Sequence, residues 1–337
     1  MLPDPSLPLS DHDTARALDL LMSGSVTTEA GAAFLAQWSA RGETGAEVAA
    51  AVRTLLDRAV AIPLQGAAFD LCGTGGSGLT RFNVSTTVAF ILAALGVPVA
   101  KHGNRGSKRP NGSFDLLEAL GIPFQLSPTH HAELFASTGI CFLFARQMHP
   151  AVAAVAPMRK MAGGRTIFNL AGPLANPCRP VRQVVGVAND HTAQVITEAL
   201  RRLQVSRAVV VRGHPGLDEV SITGPTHVWD LQGGHIHHRI FDRLHHSGLT
   251  HEDLPGGDAT ENAQLFESVI RGQAPGPLED MVVLNAAVAL GCWRDLPRLD
   301  IDDLTAEVRE ALGDGRAERI VHRHRLAARR MAGIVTG

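Results

Sequence analysis

Residues 70–121 constrain this 337-residue chain more than any other stretch. A short apolar, β-compatible run at 67–72 passes directly into Gly73, Thr74, Gly75, Gly76, Ser77 and Gly78. An uncharged segment of helical length starts near 83–86. Strand, glycine loop and helix in that order aim backbone N–H groups and a helix N-terminus at an anion. Glycine suits the loop because the chain turns tightly there and meets a ligand with no Cβ in the way. Gly73, Gly76 and Ser77, with Asn83, Ser85 and Thr86 at the helix start, are therefore candidate phosphate contacts. A second apolar run, 97–100, leads into Lys101, His102, Gly103, Asn104 and Arg105. In open α/β sheets ligands gather outside the carboxyl ends of strands, so two polar loops after successive strands predict one crevice. A lone glycine loop has a structural turn as its alternative, which the second loop weakens.

The rest of the chain supports that architecture. Strands are predicted at 67–72, 97–100, 140–144, 183–188 and 207–212, and helices at 84–95, 113–120, 129–137 and 191–203. This alternation predicts a larger α/β domain, 66–337, with a mostly parallel central sheet covered by helices. Residues 1–65 read as a small all-helical domain. Ser10 with Asp13, and Thr44 with Glu47, resemble helix caps, and Val48, Val52, Leu55 and Leu56 recur at helical spacing. Residues 149–161 read as one further helix. Residues 224–260 read as β-hairpins and surface loops. Six histidines crowd the end of that segment, His235, His237, His238, His245, His246 and His251, with no fixed ligand spacing, so solvated surface is preferred to a metal site. The chain turns helical again from 261, and 316–330 predicts a basic face over an apolar stripe.

Composition argues against several classes. A formal charge of −2 and only 4% aromatic residues argue against a nucleic-acid or membrane-surface binder. Cys72, Cys141, Cys178 and Cys292 are widely spaced, which favours neither a zinc site nor a disulfide framework and fits a reducing cytoplasm. The N-terminal 13 residues lack the basic region and apolar core of a signal peptide. Residues 82–100 carry no charge, but Asn83, Gly96 and Pro98 interrupt them, so they predict a buried helix and strand and no membrane span.

Two further features carry chemistry. Asp218 and Glu219 follow an apolar strand and the turn HPGL. Adjacent carboxylates suit Mg²⁺ shared with a phosphate; a surface acidic turn is the alternative. Arg159 lies on a predicted helix, where it can fork onto a carboxylate or sit as a surface charge.

The series GTGGSG, NVST, KHGNR, GSFDLLEALG, His149-Pro150, APMR, RTIFNLAGPLANP (165–177) and GLDE resembles the anthranilate phosphoribosyltransferase family, in the family's order and over nearly the whole chain. The resemblance implies transfer of a 5-phosphoribosyl group from phosphoribosyl diphosphate to the amine of anthranilate. It implies Mg²⁺ held by Asp218 and Glu219 with help from Ser85. Anthranilate contacts fall to Arg159, Asn104 and Gly73, with His102 lining the same space or bracing the loop. The resemblance implies donor contacts at Lys101 and Ser113 beside the loop residues already named, and Arg81, Lys108 and Arg109 are expected to join them from their places in the donor loops. A homodimer through the small domain, joined by the segment near 149–162, and a cleft between the domains are also implied.

The chain departs from the family where the donor should bind. Ser77 replaces the usual Asp, Arg81 a Thr, and Lys108 and Arg109 fall among usually small or hydroxyl residues. The swing is about four charges if all of them face the cleft, less as salt screens it. Two other readings follow: a divergent phosphoribosyltransferase for another aromatic acceptor, and a non-catalytic relative that binds nucleic acid or another polyanion through Arg81, Lys108 and Arg109. Arg159, Asn104 and the acidic pair favour the enzyme, since a polyanion binder needs neither an aromatic-acid clamp nor a metal pair.

Overall fold

The computed structural model describes residues 1–75, 82–106, 110–242, 246, 248–297 and 301–334. The chain begins with α1 (Asp11–Met22), α2 (Thr28–Arg41) and α3 (Gly45–Asp57). Ser10 accepts the Asp13 N–H to start α1. Thr44 and Glu47 cap α3 reciprocally, Thr44 Oγ1 accepting the Glu47 N–H and Glu47 Oε2 the Thr44 N–H. The buried Glu47 carboxylate also receives Leu9 N, Trp38 Nε1 and the Arg41 guanidinium, so one side chain ties the three helices together.

The chain then alternates: β1 (Phe69–Gly73), α4 (Val84–Ala94), β2 (Val99–Gly103), α5 (Ser113–Ala119), α6 (Pro128–Thr138), β3 (Ile140–Phe144) and the short α7 (Ala145–Met148). A 3₁₀ turn (Pro150–Val155), α8 (Ala156–Ala162) and α9 (Ile167–Ala171) lead into β4 (Arg182–Gly186), α10 (Asp190–Arg202) and β5 (Arg207–Gly213). The hairpin β6 (Thr226–Gln232) and β7 (His235–Phe241) follows, then α11 (Ala259–Ile270), α12 (Pro277–Trp293), α13 (Asp302–Gly313) and α14 (Arg316–Met331). The strands form one sheet in the order β3-β2-β1-β4-β5-β6-β7. Its first five strands are parallel, and the hairpin adds antiparallel at one edge. Gly233 and Gly234, both at positive φ, make the two-residue hairpin turn.

The protein is thus a small helical domain on an α/β domain with a mostly parallel seven-stranded sheet. One apolar core joins α1–α3 to α10 and to Val185, Val210 and Trp229 on one sheet face. The other face is covered by α4, α12 and α14, with Phe90, Val282 and Val321 among the buried residues. The strand order reverses at β1, where the chain moves outward through β2 and β3 and then returns to β4 on the other side. That switch point is where a crevice is expected.

Two readings of the sequence need correction. Residues 149–161 are not one helix: a 3₁₀ turn runs to Val155 before α8 begins. Pro150 and Pro157 lack the N–H groups that a continuous helix would use, and each lies in a first turn instead. β2 also runs to Gly103, which puts Lys101 and His102 inside a strand and not in a loop.

Candidate active site

The carboxyl ends of β1 and β4 are built from glycine so that an acidic turn can press against them. A Cβ on Gly73 would lie 2.2 Å from Asp218 Oδ2, and one on Gly186 would lie 1.7 Å from the Asp218 carbonyl oxygen. Asp218 is buried, and its Oδ2 accepts the Gly75 N–H at 3.0 Å. An exposed pair is the expectation from sequence; the missing Cβ atoms and the donated N–H draw Asp218 inward. The turn is held from behind by a residue the sequence reading missed. Asn285 on α12 accepts Val220 N and donates to Val220 O, both at 2.9 Å. Asn285 is legible only as a lone amide in the apolar run VVLNAAVALG.

A cavity of about 30 Å³ lies at this point, lined by Ser85, Asp218 and Glu219 together with Cys72, Gly186 and Asn285. It has room for a water or a small ion. The structure therefore brings the three expected metal-binding residues to one place, with Gly73 beside them. The donors are hard oxygens. Cys72 stays a thiol, because burial raises its pKa, and it donates to Pro173 O. Among the described residues no three His, Cys, Asp or Glu side chains converge on a metal position. Two carboxylates and a hydroxyl fit Mg²⁺, which fills its shell with water and phosphate oxygens.

Beside the cavity lies a buried polar group. Asp70 is fully buried and accepts Leu71 N, His102 N and Asn176 Nδ2. Burial pushes its pKa up to about 6 against the pull of Lys101. Lys101 is also buried and donates to Leu71 O at 2.6 Å; burial lowers its pKa, and Asp70, Cys72 and Glu219 oppose that shift. Nothing local in the sequence singles out Asp70, a strand residue, or Asn176, one member of the RTIFNLAGPLANP run.

The acceptor candidates form a second group. His102 is buried edge-on to His149, ring centroids 5.3 Å apart, and burial pulls its pKa down to about 3. His149 holds Ala175 O through Nε2 at 2.7 Å. Asn104 is exposed, and its Oδ1 accepts Arg105 N. Arg105 turns outward onto Asp115 and Glu118, and Asp115 Oδ2 accepts Gly106 N and Gly112 N, fixing both ends of that loop. Arg159 on α8 donates to Asn169 Oδ1 and lies over the Phe168 ring, with burial lowering its pKa. Its polar partner among the described residues joins it to α9 and not to the two loops. α8 packs on α2, where Gly31 leaves room for Met158.

The remaining donor candidates are spread over the same end of the sheet. Asn83 donates to Asn111 O and accepts from Asn262. Thr86 is fully buried in α4, and Ser113 opens α5 with its hydroxyl toward Gly103. Gly76, Ser77, Arg81, Lys108 and Arg109 lie outside the described residues.

A helical domain on a mostly parallel sheet, with a polar crevice at the switch point, is the architecture of a class of glycosyl transferases that this chain matches. Residues 6–59 match the glycosyl transferase family, helical bundle domain, and residues 65–318 the glycosyl transferase family, a/b domain. An anthranilate phosphoribosyltransferase of Novosphingobium aromaticivorans is 41% identical over 86% of this chain and 88% of its own length. One from Rhodospirillum rubrum is 44% identical over 84% of this chain and 82% of its own. The crystal structure of the Thermus thermophilus enzyme of that name superposes with a TM-score of 0.87 at 35% identity, covering 96% of this chain and 97% of that one. The chain belongs to the anthranilate phosphoribosyltransferase family and is a pentosyl-transferring enzyme. The Saccharomyces cerevisiae enzyme in complex with PRPP and Mg shares the fold at 24% identity, with a TM-score of 0.85 over 95% of this chain and 93% of that one.

Proposed function

We propose that the chain transfers the 5-phosphoribosyl group of 5-phosphoribosyl 1-diphosphate to the amine of anthranilate, releasing diphosphate. The observation that carries this reading is the meeting of Ser85, Asp218 and Glu219 on one small cavity at the carboxyl ends of β1 and β4. Donor binding is assigned to Gly73, Asn83, Ser85, Thr86 and Ser113, and acceptor binding to Gly73, His102, Asn104 and Arg159; Lys101, expected among the donor contacts, is left out because it is buried with its ammonium on Leu71 O. Asp218, Glu219 and Ser85 would hold Mg²⁺. When bound, the ion supplies positive charge for the departing diphosphate.

The aromatic amine is already a nucleophile, so the site needs no strong base. His102 is in keeping with this, since burial holds it neutral. The residues work by placement: the turn 213–220 holds its carboxylates at the end of β1, and Arg159 receives the anthranilate carboxylate. Placement of two reactants in attack geometry is itself worth several kcal/mol of barrier, about 7–11 in favourable cases. Closure of α8 toward the loops would exclude water.

No helix among the described residues is long and apolar enough to cross a membrane, and the four cysteines are unpaired, which favours a reducing cytoplasm. A homodimer through the small helical domain is proposed with the reaction, and sedimentation equilibrium tests it. The central experiment follows the loss of anthranilate fluorescence with phosphoribosyl diphosphate and Mg²⁺. Turnover is expected in the parent and a loss of at least about 100-fold in Asp218→Ala/Glu219→Ala, the scale of removing one stabiliser of developing charge. Undiminished turnover at limiting Mg²⁺ in that variant would reduce the pair to a surface turn.

A further inference from the structure

β1 and β2 are neighbours in a parallel sheet, yet they share only the pair Phe69↔Val99. On its other side β1 pairs with β4 all the way to Gly73↔Gly186, and β2 pairs with β3 to Gly103↔Phe144. The split therefore belongs to this one seam. A parallel ladder continued by one step would match Leu71 with Lys101, sending Leu71 N to Ala100 O and His102 N to Leu71 O. Side chains take all four of these backbone groups. Leu71 N and His102 N donate to Asp70 Oδ1 at 2.8 and 3.2 Å. Leu71 O accepts Lys101 Nζ at 2.6 Å, and Ala100 O accepts Asn176 Nδ2 at 2.7 Å. Asn176 closes the group by donating to Asp70 Oδ2 at 2.9 Å. All three side chains are at most 1% exposed.

This is an expensive way to satisfy four backbone groups. Two ordinary ladder bonds would do so without burying an acid and an amine, whose desolvation costs several kcal/mol each. With the ladder broken, the two strands are joined there through three side chains instead, just before the segments Gly73–Gly75 and Gly103–Arg105. We propose that Asp70, Lys101 and Asn176 are positioning residues for the transfer, a buried bridge that sets the gap in which the donor's anomeric carbon and the acceptor's amine meet. The inference rests on the reading that these two loops receive donor and acceptor.

The test uses the full-length enzyme with Lys101→Met, Asn176→Ala and the isosteric Asp70→Asn, which keeps an oxygen for Leu71 and His102 and guards against a variant that does not fold. Circular dichroism melts give the folded fraction. Steady-state kinetics give kcat and both KM values, and titration calorimetry gives the affinity for phosphoribosyl diphosphate with Mg²⁺. In the folded variants kcat should fall about 100-fold for the first two and at least about 10-fold for Asp70→Asn, the scale of an ångström misplacement. Both KM values and the donor affinity should stay within about threefold, because each loop keeps its own contacts. Parental kcat in any folded variant overturns the proposal. So does a donor KM raised alone in Lys101→Met, which would put the ammonium on the donor. A parent that transfers nothing, with its bridge intact, refutes the assigned reaction and withdraws the inference with it.

Discussion

Gly73 and Arg159 show how differently two residues of one site are constrained. Gly73 is needed for its missing Cβ: the 2.2 Å that Ala would leave to Asp218 Oδ2 forces the carboxylate off the Gly75 N–H. Gly73→Ala should fold and yet raise the Mg²⁺ concentration for half-maximal activity by about tenfold, the worth of roughly one charged hydrogen bond. A Mg²⁺ titration identical to that of the parent would show that the carboxylate has room to move. Arg159 is needed for its charge. It rests on Asn169 and Phe168, with burial already working against its protonated form. Arg159→Ala should raise the anthranilate KM by the equivalent of about 1.5–3 kcal/mol and leave the donor KM nearly alone. Equal effects on both substrates would remove Arg159 from the acceptor site.

At the scale of elements, α12 is the wall against which the acidic turn is set. Its apolar faces bury Met281, Val282, Leu284 and Val288, and Asn285 reaches both backbone groups of Val220. Asn285→Leu keeps the volume and strands two buried backbone groups, at about 1–3 kcal/mol each. The variant should melt lower and also need more Mg²⁺. A lower melting temperature with an unchanged Mg²⁺ requirement would make Asn285 a fold residue alone. The elements differ in how far they can be read in advance. The caps of α1 and α3 and the strand-and-helix alternation are local patterns and are legible. The end of β2 is not, because Lys101 and His102 look like loop residues until β3 pairs with them through Gly103↔Phe144. The broken segment after His149 carries its own signal in two prolines, which apolar periodicity masks.

For the molecule as a whole, burial of histidines sets the response to acid. Burial pulls His131 down to about 4 and His324 to about 3 from an ordinary value of 6.5. Between those values and 6.5 the unfolded chain binds more protons than the folded one. Stability is therefore full above about pH 6.5 and is lost as pH falls toward 4. Asp70 acts oppositely: raised to about 6 from 3.8, it binds its proton more readily in the folded chain, so stability gains as pH falls through that window and offsets some of the loss. His324 lies between the rings of Phe90 and Phe142, and its partner Thr138 keeps bonds to Leu134 O and Ile140 O without it. His324→Phe should flatten the dependence of unfolding free energy on pH by about one proton, or about 1.4 kcal/mol per pH unit, between pH 4 and 6. Denaturant melts across that range would refute the assignment if the slope were unchanged.

The amino-acid sequence alone was enough for most of the helices and strands, 149–161 and the end of β2 apart, for the glycine loop before α4 and for the acidic pair after β5. Those are consequences of periodicity, capping and turn chemistry, all of which act within about ten residues. It took the three-dimensional fold to bury Asp218 beneath Gly73 and Gly186, to bring Asn285 behind its turn from 65 residues away, and to let Asp70, Lys101 and Asn176 take the backbone groups between β1 and β2. Each of these depends on backbone groups meeting a side chain far off in the chain. Whether a polar residue in an apolar run is buried or exposed is settled by the partner it finds across the fold.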